Sequence, residues 1–351
     1  MFREKQDPEN TEKVVEERFR LLVEVGSKTM ADSELPEMDL PAYYDADKFR
    51  VGQTVFYNNV FTMMVAKLAG LLSLLAVPSI LDILIFTKQS GTPCTAFRRY
   101  VSTILHTFIW YEREPEKQKE FFASLKNVRR KHCVASKRAS EAGINRISQF
   151  DMAVTQFGFI GFTILCGDEL GVAVSRKDLE GLIHLWRVIG SMLGIEERFN
   201  ICTGSVEETK ALCARILDEV FLPCLAAKRP EFEKMRQILL EGVWPISPQI
   251  DPDAFTAITY RLAMSATSNN NHSLEVDTSS MSSYSKFLLG FQTWVHKNLL
   301  QTSLWWSPIF RGFFNAQMRL SIFLTEHWPF LAYLVFGKQR SQVNIYKMQI
   351  N

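Results

Sequence analysis

The stretch Phe97–Trp110, FRRYVSTILHTFIW, decides the fold. Phe97, Tyr100, Val101, Ile104, Leu105, Phe108 and Ile109 recur at spacings of three and four, the period of a helix with little surface left for water. On the remaining strip Arg99, Thr103 and His106 fall at i, i+4 and i+7, so a mostly buried helix carries one polar stripe. Burying an arginine is costly unless an anion compensates it. Two readings follow: a structural ion pair with an Asp or Glu elsewhere, or a clamp for a carboxylate or phosphate on a ligand.

The next helical pattern supplies a complement. In FFASLKNVRRKHCVAS, Leu125, Val128, His132 and Ala135 share a face, with Arg129, Arg130 and Lys131 towards its flanks. His132 is the odd member of an apolar stripe: either a satisfied core histidine or a neutral imidazole projecting into an apolar cleft, as an axial haem ligand does. Further on, Gly158 and Gly161 lie three apart on one helix face, where helix contact or close approach of a flat ligand would use them. His184 and Arg187 sit one turn apart, and His184 reads as a core histidine or a second ligand candidate.

Working outward, the whole chain reads as helical. A charged N-terminal arm covers 1–44, and 37–52 reads as loop. Residues 53–87 form a long apolar helix broken at Pro78, and further helices begin near Thr95 and at Pro115. Ser148 caps a helix over Gln149–Leu165, Asp178 one over Leu179–Leu193, and Ser205 with Glu208 forms a capping box for a helix reaching Val220. Another helix starts at Pro230. Residues 45–260 form the main helical domain, 261–285 a Ser/Asn-rich loop, and 286–351 an aromatic-rich helical region. No run alternates with period two, so the fold class is all-α.

Composition limits the function. The 351 residues carry 40 basic and 38 acidic side chains, a balance that gives no reason to expect nucleic acid. Six cysteines lie singly, without C-x-x-C spacing, and read as reduced, buried thiols of an intracellular protein, cytoplasmic or bound to the endoplasmic reticulum. The charged N-terminus lacks a signal-peptide core, so the sequon Asn271-His272-Ser273 carries little weight. Leu68–Leu81 is apolar for 14 residues, short of the about 20 that span a bilayer, and reads as core. Trp305–Phe336 is aromatic but interrupted by Arg311, Arg319, Glu326 and two prolines; it fits core, membrane surface or span. Zincin, kinase, dinucleotide and serine-hydrolase motifs do not occur.

Four ordered motifs, Arg99-x-x-x-Thr103, V-R-R-x-H at His132, Q-x-D-M-x-x-T-Q-x-G-F at Gln149–Phe159, and H-L-W-R-x-I-G-x-x-L-G-I at His184–Ile195, together resemble the family of the fungal ER-bound oxygenase MpaB and the bacterial rubber oxygenase, or latex clearing protein. The branch found in animals is most similar. The resemblance implies an all-α fold with a globin-like core and non-covalent haem b. His132 matches the proximal histidine, and Arg99 and Thr103 match a catalytic arginine–threonine pair. The implied activity is oxidative cleavage of a double bond in an apolar isoprenoid or lipid-like substrate. A hydrophobic small molecule and a membrane surface are the implied partners, and the redox partner is open. The rubber-cleaving members carry lysine where this chain has Ser102, and a distal glutamate whose place falls near Ile83, beside Asp82. Rubber is therefore not the expected substrate, and a haem- or lipid-binding protein without oxygenase activity is the alternative.

Overall fold

A computed structural model describes residues 8–31, 38–267, 274 and 276–345. Among these the chain is helical, with no strand and a single isolated bridge pairing Met30 with Ser148. The helices are α1 (Pro8–Leu21), α2 (Ala46–Asn58), α3 (Val60–Leu75), α4 (Pro78–Thr87), α5 (Pro93–Glu112), α6 (Lys119–Glu141), α7 (Gln149–Leu165), α8 (Gly167–Leu170) and α9 (Arg176–Met192). They continue as α10 (Val206–Ile216), α11 (Leu222–Ala226), α12 (Pro230–Val243), α13 (Pro252–Ala266), α14 (Ser283–Trp294), α15 (Ser307–His327), α16 (Phe330–Phe336) and α17 (Lys338–Ser341). The sequon and the first seven residues lie outside the described residues, as does part of the expected Ser/Asn-rich loop.

Two crossings organise the core. α3 lies along α7 and α2 along α9. At the first, a Cβ on Gly70 would stand 2.1 Å from the Gly158 carbonyl oxygen; at the second, one on Gly52 would stand 2.6 Å from that of Gly181. Backbones this close admit only hydrogen at these positions. Gly158 thus serves helix contact. Gly161 faces the Phe157 ring, 2.5 Å from where its own Cβ would be, and neither glycine shows a gap for a flat ligand.

Local capping chemistry sets most boundaries. Ser148 and Asp151 form a reciprocal capping box at α7, and Ser205 and Glu208 do so at α10, as expected. At α9 the cap is Ser175, and Asp178 is its partner three residues on; the expected start falls one turn too late. The expected loop over 37–52 is overturned from Ala46 onward. Asp45 accepts the N–H groups of Asp47 and Lys48 and starts a helix there.

The long apolar helix expected over 53–87 is also three pieces, not two. Pro78 begins α4 as its first residue, and a second break at Asn59 bends α2 from α3 by 94°. Buried Asn59 leaves helical geometry because its side chain is engaged elsewhere. Its amide donates to the Val55 carbonyl at 2.9 Å, and its oxygen accepts the Ala173 N–H at 3.1 Å. No single helix among the described residues is long and apolar enough to cross a membrane; α2 and α3 pass together only across that bend. Ala69, Leu72 and Leu75 are fully buried, which makes α3 a core helix.

Candidate functional site

α5 and α6 run against each other, and the polar stripe of α5 faces α6. At one end His106 is enclosed: its Nδ1 pairs with the Ser124 hydroxyl at 2.8 Å, and Asn127 approaches Nε2 at 3.4 Å. At the other end Arg99 faces His132, and nothing of that kind happens. His132 Nδ1 is buried without a hydrogen-bond partner. Burial, with the positive charges of Arg99 and Lys131, pushes the imidazole down to about 4, so it is neutral at physiological pH. Burial likewise lowers Arg99, and no acidic side chain answers it among the described residues. Of the two sequence readings of Arg99, the structural ion pair is not formed among the described residues. Thr103 donates its hydroxyl proton to the Arg99 carbonyl at 3.1 Å, leaving its oxygen only as an acceptor.

Arg99 and His132 lie deep among protein atoms, yet each keeps part of its surface uncovered. Half-covered residues repeat at i, i+4 on four helices: Lys67 and Leu71, Arg99 and Thr103, Val128 and His132, Thr155 and Phe159. Lys67 ties three of the helices together. Its amine, on α3, donates to the Thr107 hydroxyl of α5 at 2.8 Å and stands 4.9 Å from the centre of the Phe159 ring on α7. Burial without an acid lowers it to about 7. Sequence reading missed Lys67, which stands just before the apolar run Leu68–Leu81; a lysine one turn from Met64 and Leu71 on an otherwise buried helix was the available signal.

The remaining motif residues are structural. Gln149 donates to the Gly194 carbonyl and accepts the Glu196 N–H. Buried Asp151 completes its cap and accepts the Ser79 hydroxyl at 2.6 Å. His184 Nε2 accepts the Asp45 N–H at 3.0 Å, which fixes the start of α2 and removes it as a ligand candidate. Arg187 pairs with Glu197 and lies over Tyr43. Ile83, near where the resemblance implies a distal glutamate, is buried, and Asp82 beside it is exposed.

What these groups can do follows from the donor set around His132: one neutral imidazole with an orphaned nitrogen, the cations Arg99 and Lys131, and no acid among the described residues. No group of three His, Cys, Asp or Glu suited to a bare metal ion occurs among the described residues. A metal at His132 would thus need its other ligands from a prosthetic group, and the unanswered cations suit a group with anionic edges. Beside the stripe, a small open apolar cleft is lined by Phe61, Met64, Leu68, Ile104, Phe291 and Met318, among others. Met64 and Leu68 flank Lys67 on α3, and Ile104 follows Thr103 on α5.

Comparison with known proteins bears on the fold and the family. The Rubber oxygenase of Streptomyces sp. (strain K30) is 30% identical over 94 residues, covering 27% of this chain and 21% of that protein, so the match spans about a fifth of the relative's length. The latex clearing protein LCP, solved in its closed state, shares the fold: the TM-score is 0.55 at 15% identity, over 92% of this chain and 90% of that one. Residues 55–268, more than half of the sequence, match the catalytic domain described as ER-bound oxygenase mpaB/B'/Rubber oxygenase, and the chain belongs to that family.

Proposed function

We propose that the protein is a haem-dependent oxygenase acting on an apolar, isoprenoid- or lipid-like substrate. The observation that carries this reading is His132: a deep, neutral imidazole with a buried nitrogen that no protein group satisfies. The residues present fit haem b. His132 would be the protein's ligand to the iron, and without C-x-x-C-H the group would be held non-covalently. Arg99 would hold a propionate through charge-assisted hydrogen bonds, which explains an arginine enclosed without an acid. Haem supplies the dioxygen chemistry. The chain supplies orientation and the exclusion of water, and the apolar cleft beside Thr103 and Lys67 would receive the substrate's hydrocarbon chain.

Purified full-length protein, as isolated or after reconstitution with haemin, should show a Soret band. His132→Gly should lose at least about ten times in haem affinity with helical circular dichroism unchanged, and free imidazole should restore the band. Protein that neither retains nor takes up haem would sink the reading. Ser102 and Ile83, where the rubber-cleaving relatives carry lysine and glutamate, favour a second reading: a haem protein without oxygenase activity. Dioxygen uptake with a polyprenyl lipid separates the two, since only the first predicts consumption that depends on both lipid and His132.

A further inference from the structure

The exposed apolar surface is concentrated at one end of the chain. Fifteen of the 22 exposed large hydrophobic side chains among the described residues fall between Tyr284 and Val335. α15 shows how this arises. Its inner side buries Phe314, Asn315, Ile322 and Thr325 against the rest of the protein, while Ile309, Phe313, Leu320 and Phe323 repeat at helical spacing on the outside. Trp305 is 80% exposed and Leu334 83%. A water-facing surface does not place aromatic and aliphatic side chains in register, and a patch of this kind marks an interaction site.

The charges say which kind. From 283 to 345 there are six basic residues, Lys286, Lys297, Arg311, Arg319, Lys338 and Arg340, against one acid, Glu326. The chain as a whole is nearly balanced, so the excess is local. Arg319 is occupied, donating to the Tyr57 carbonyl at 2.6 Å. Arg311 lies with Phe314 and Asn315 on the inner side of α15, and its Nε and one terminal nitrogen are buried. Lys286, Lys297, Lys338 and Arg340 are exposed and placed to meet anions that arrive with an apolar phase.

We propose that the outer face of α14–α16 docks on a lipid bilayer bearing anionic headgroups, with the exposed lysines Lys297 and Lys338 meeting headgroup phosphates. Indole and phenyl groups enter the interface and the basic residues meet the headgroups, as for an amphipathic helix lying in the membrane plane. Phe291 is both part of this face and part of the lining of the apolar cleft, so the cleft reaches the surface where lipid would lie. The docking face stands independently of the haem reading.

Flotation of the full-length protein with phosphatidylcholine vesicles, with and without phosphatidylserine, tests this. Binding should be at least about tenfold stronger with phosphatidylserine and weaken as salt rises. Trp305→Ser with Phe313→Ser, both exposed and foreign to the core, should lower binding to either vesicle by about tenfold. Lys297→Gln with Lys338→Gln should remove about a fivefold share of the phosphatidylserine preference and leave binding to phosphatidylcholine unchanged. Equal binding of wild type and the double variant would overturn the proposal. So would sedimentation showing a dimer that the double variant abolishes, since a second copy would then be the occupant.

Discussion

Two sets of buried polar residues lie at similar depth in this protein and are treated in opposite ways. On α7 and α9 the polar residues that interrupt the apolar pattern are answered, the Thr163 hydroxyl excepted. Gln156 donates to the Trp186 carbonyl at 2.8 Å and to the Asn200 side chain at 3.0 Å, and accepts the Ile201 N–H at 3.2 Å. Trp186 donates to the Tyr111 hydroxyl at 2.7 Å. On α3, α5 and α6, Lys67 has one neutral partner, and Arg99 and one His132 nitrogen have none among the described residues. A satisfied network fixes a fold; an unsatisfied one lowers stability and persists where something else completes it. The difference separates residues that hold the scaffold from residues that the proposed function assigns to a ligand.

The largest effect should come from the satisfied set. Gln156→Leu leaves the Ile201 N–H and the Trp186 carbonyl buried without their partner, and should cost about 3 kcal/mol. Chemical denaturation of the ligand-free protein measures it. If Gln156→Leu were neutral while His132→Leu were costly, the division drawn above would be reversed.

A smaller change of opposite sign is expected at Lys67. Its folded value of about 7 lies below the ordinary 10.5, so the folded state carries an enclosed charge below pH 7 that water would solvate better. Between about 7 and 10.5 the unfolded chain binds the proton that the folded chain releases, so stability contributed by this group rises with pH. Lys67→Met should therefore stabilise the ligand-free protein by about 2 kcal/mol below pH 7. The gain should shrink towards pH 10. A loss instead of a gain, measured by thermal denaturation near pH 6, would make Lys67 a member of the structural set.

How much of this was legible in the sequence follows the range of the forces. The caps at Ser148 and Ser205 are contacts over three residues and could be read directly. The break at Asn59 could not, because it is held by Ala173, 114 residues away. The stripe of Arg99, Thr103 and His106 was visible as a period; that His106 would be satisfied by Ser124 and Arg99 left alone was not, since partners are chosen by tertiary packing. The chain from Trp305 to Phe336 was ambiguous for a related reason: α15 is apolar on both sides, and periodicity cannot say which side faces out.

The smallest effect, and the one that bears most directly on the unsatisfied set, is an acid slope. His132 and His106 are both held near 4 by burial, against an ordinary value of 6.5. As pH falls from about 6.5 to 4 the unfolded imidazoles take up protons that the folded ones refuse, so stability drops through this window and is unaffected above it. Replacing either histidine by leucine removes part of the slope, at most about 2 kcal/mol near pH 4.5. The two should differ at pH 7. His106→Leu strands the hydrogen bonds of Ser124 and Asn127 and costs about 1 kcal/mol there, whereas His132→Leu removes an orphaned nitrogen and costs nothing or stabilises. Denaturation curves at the two pH values give both numbers, and equal costs at pH 7 would mean that the ligand-free protein already satisfies His132.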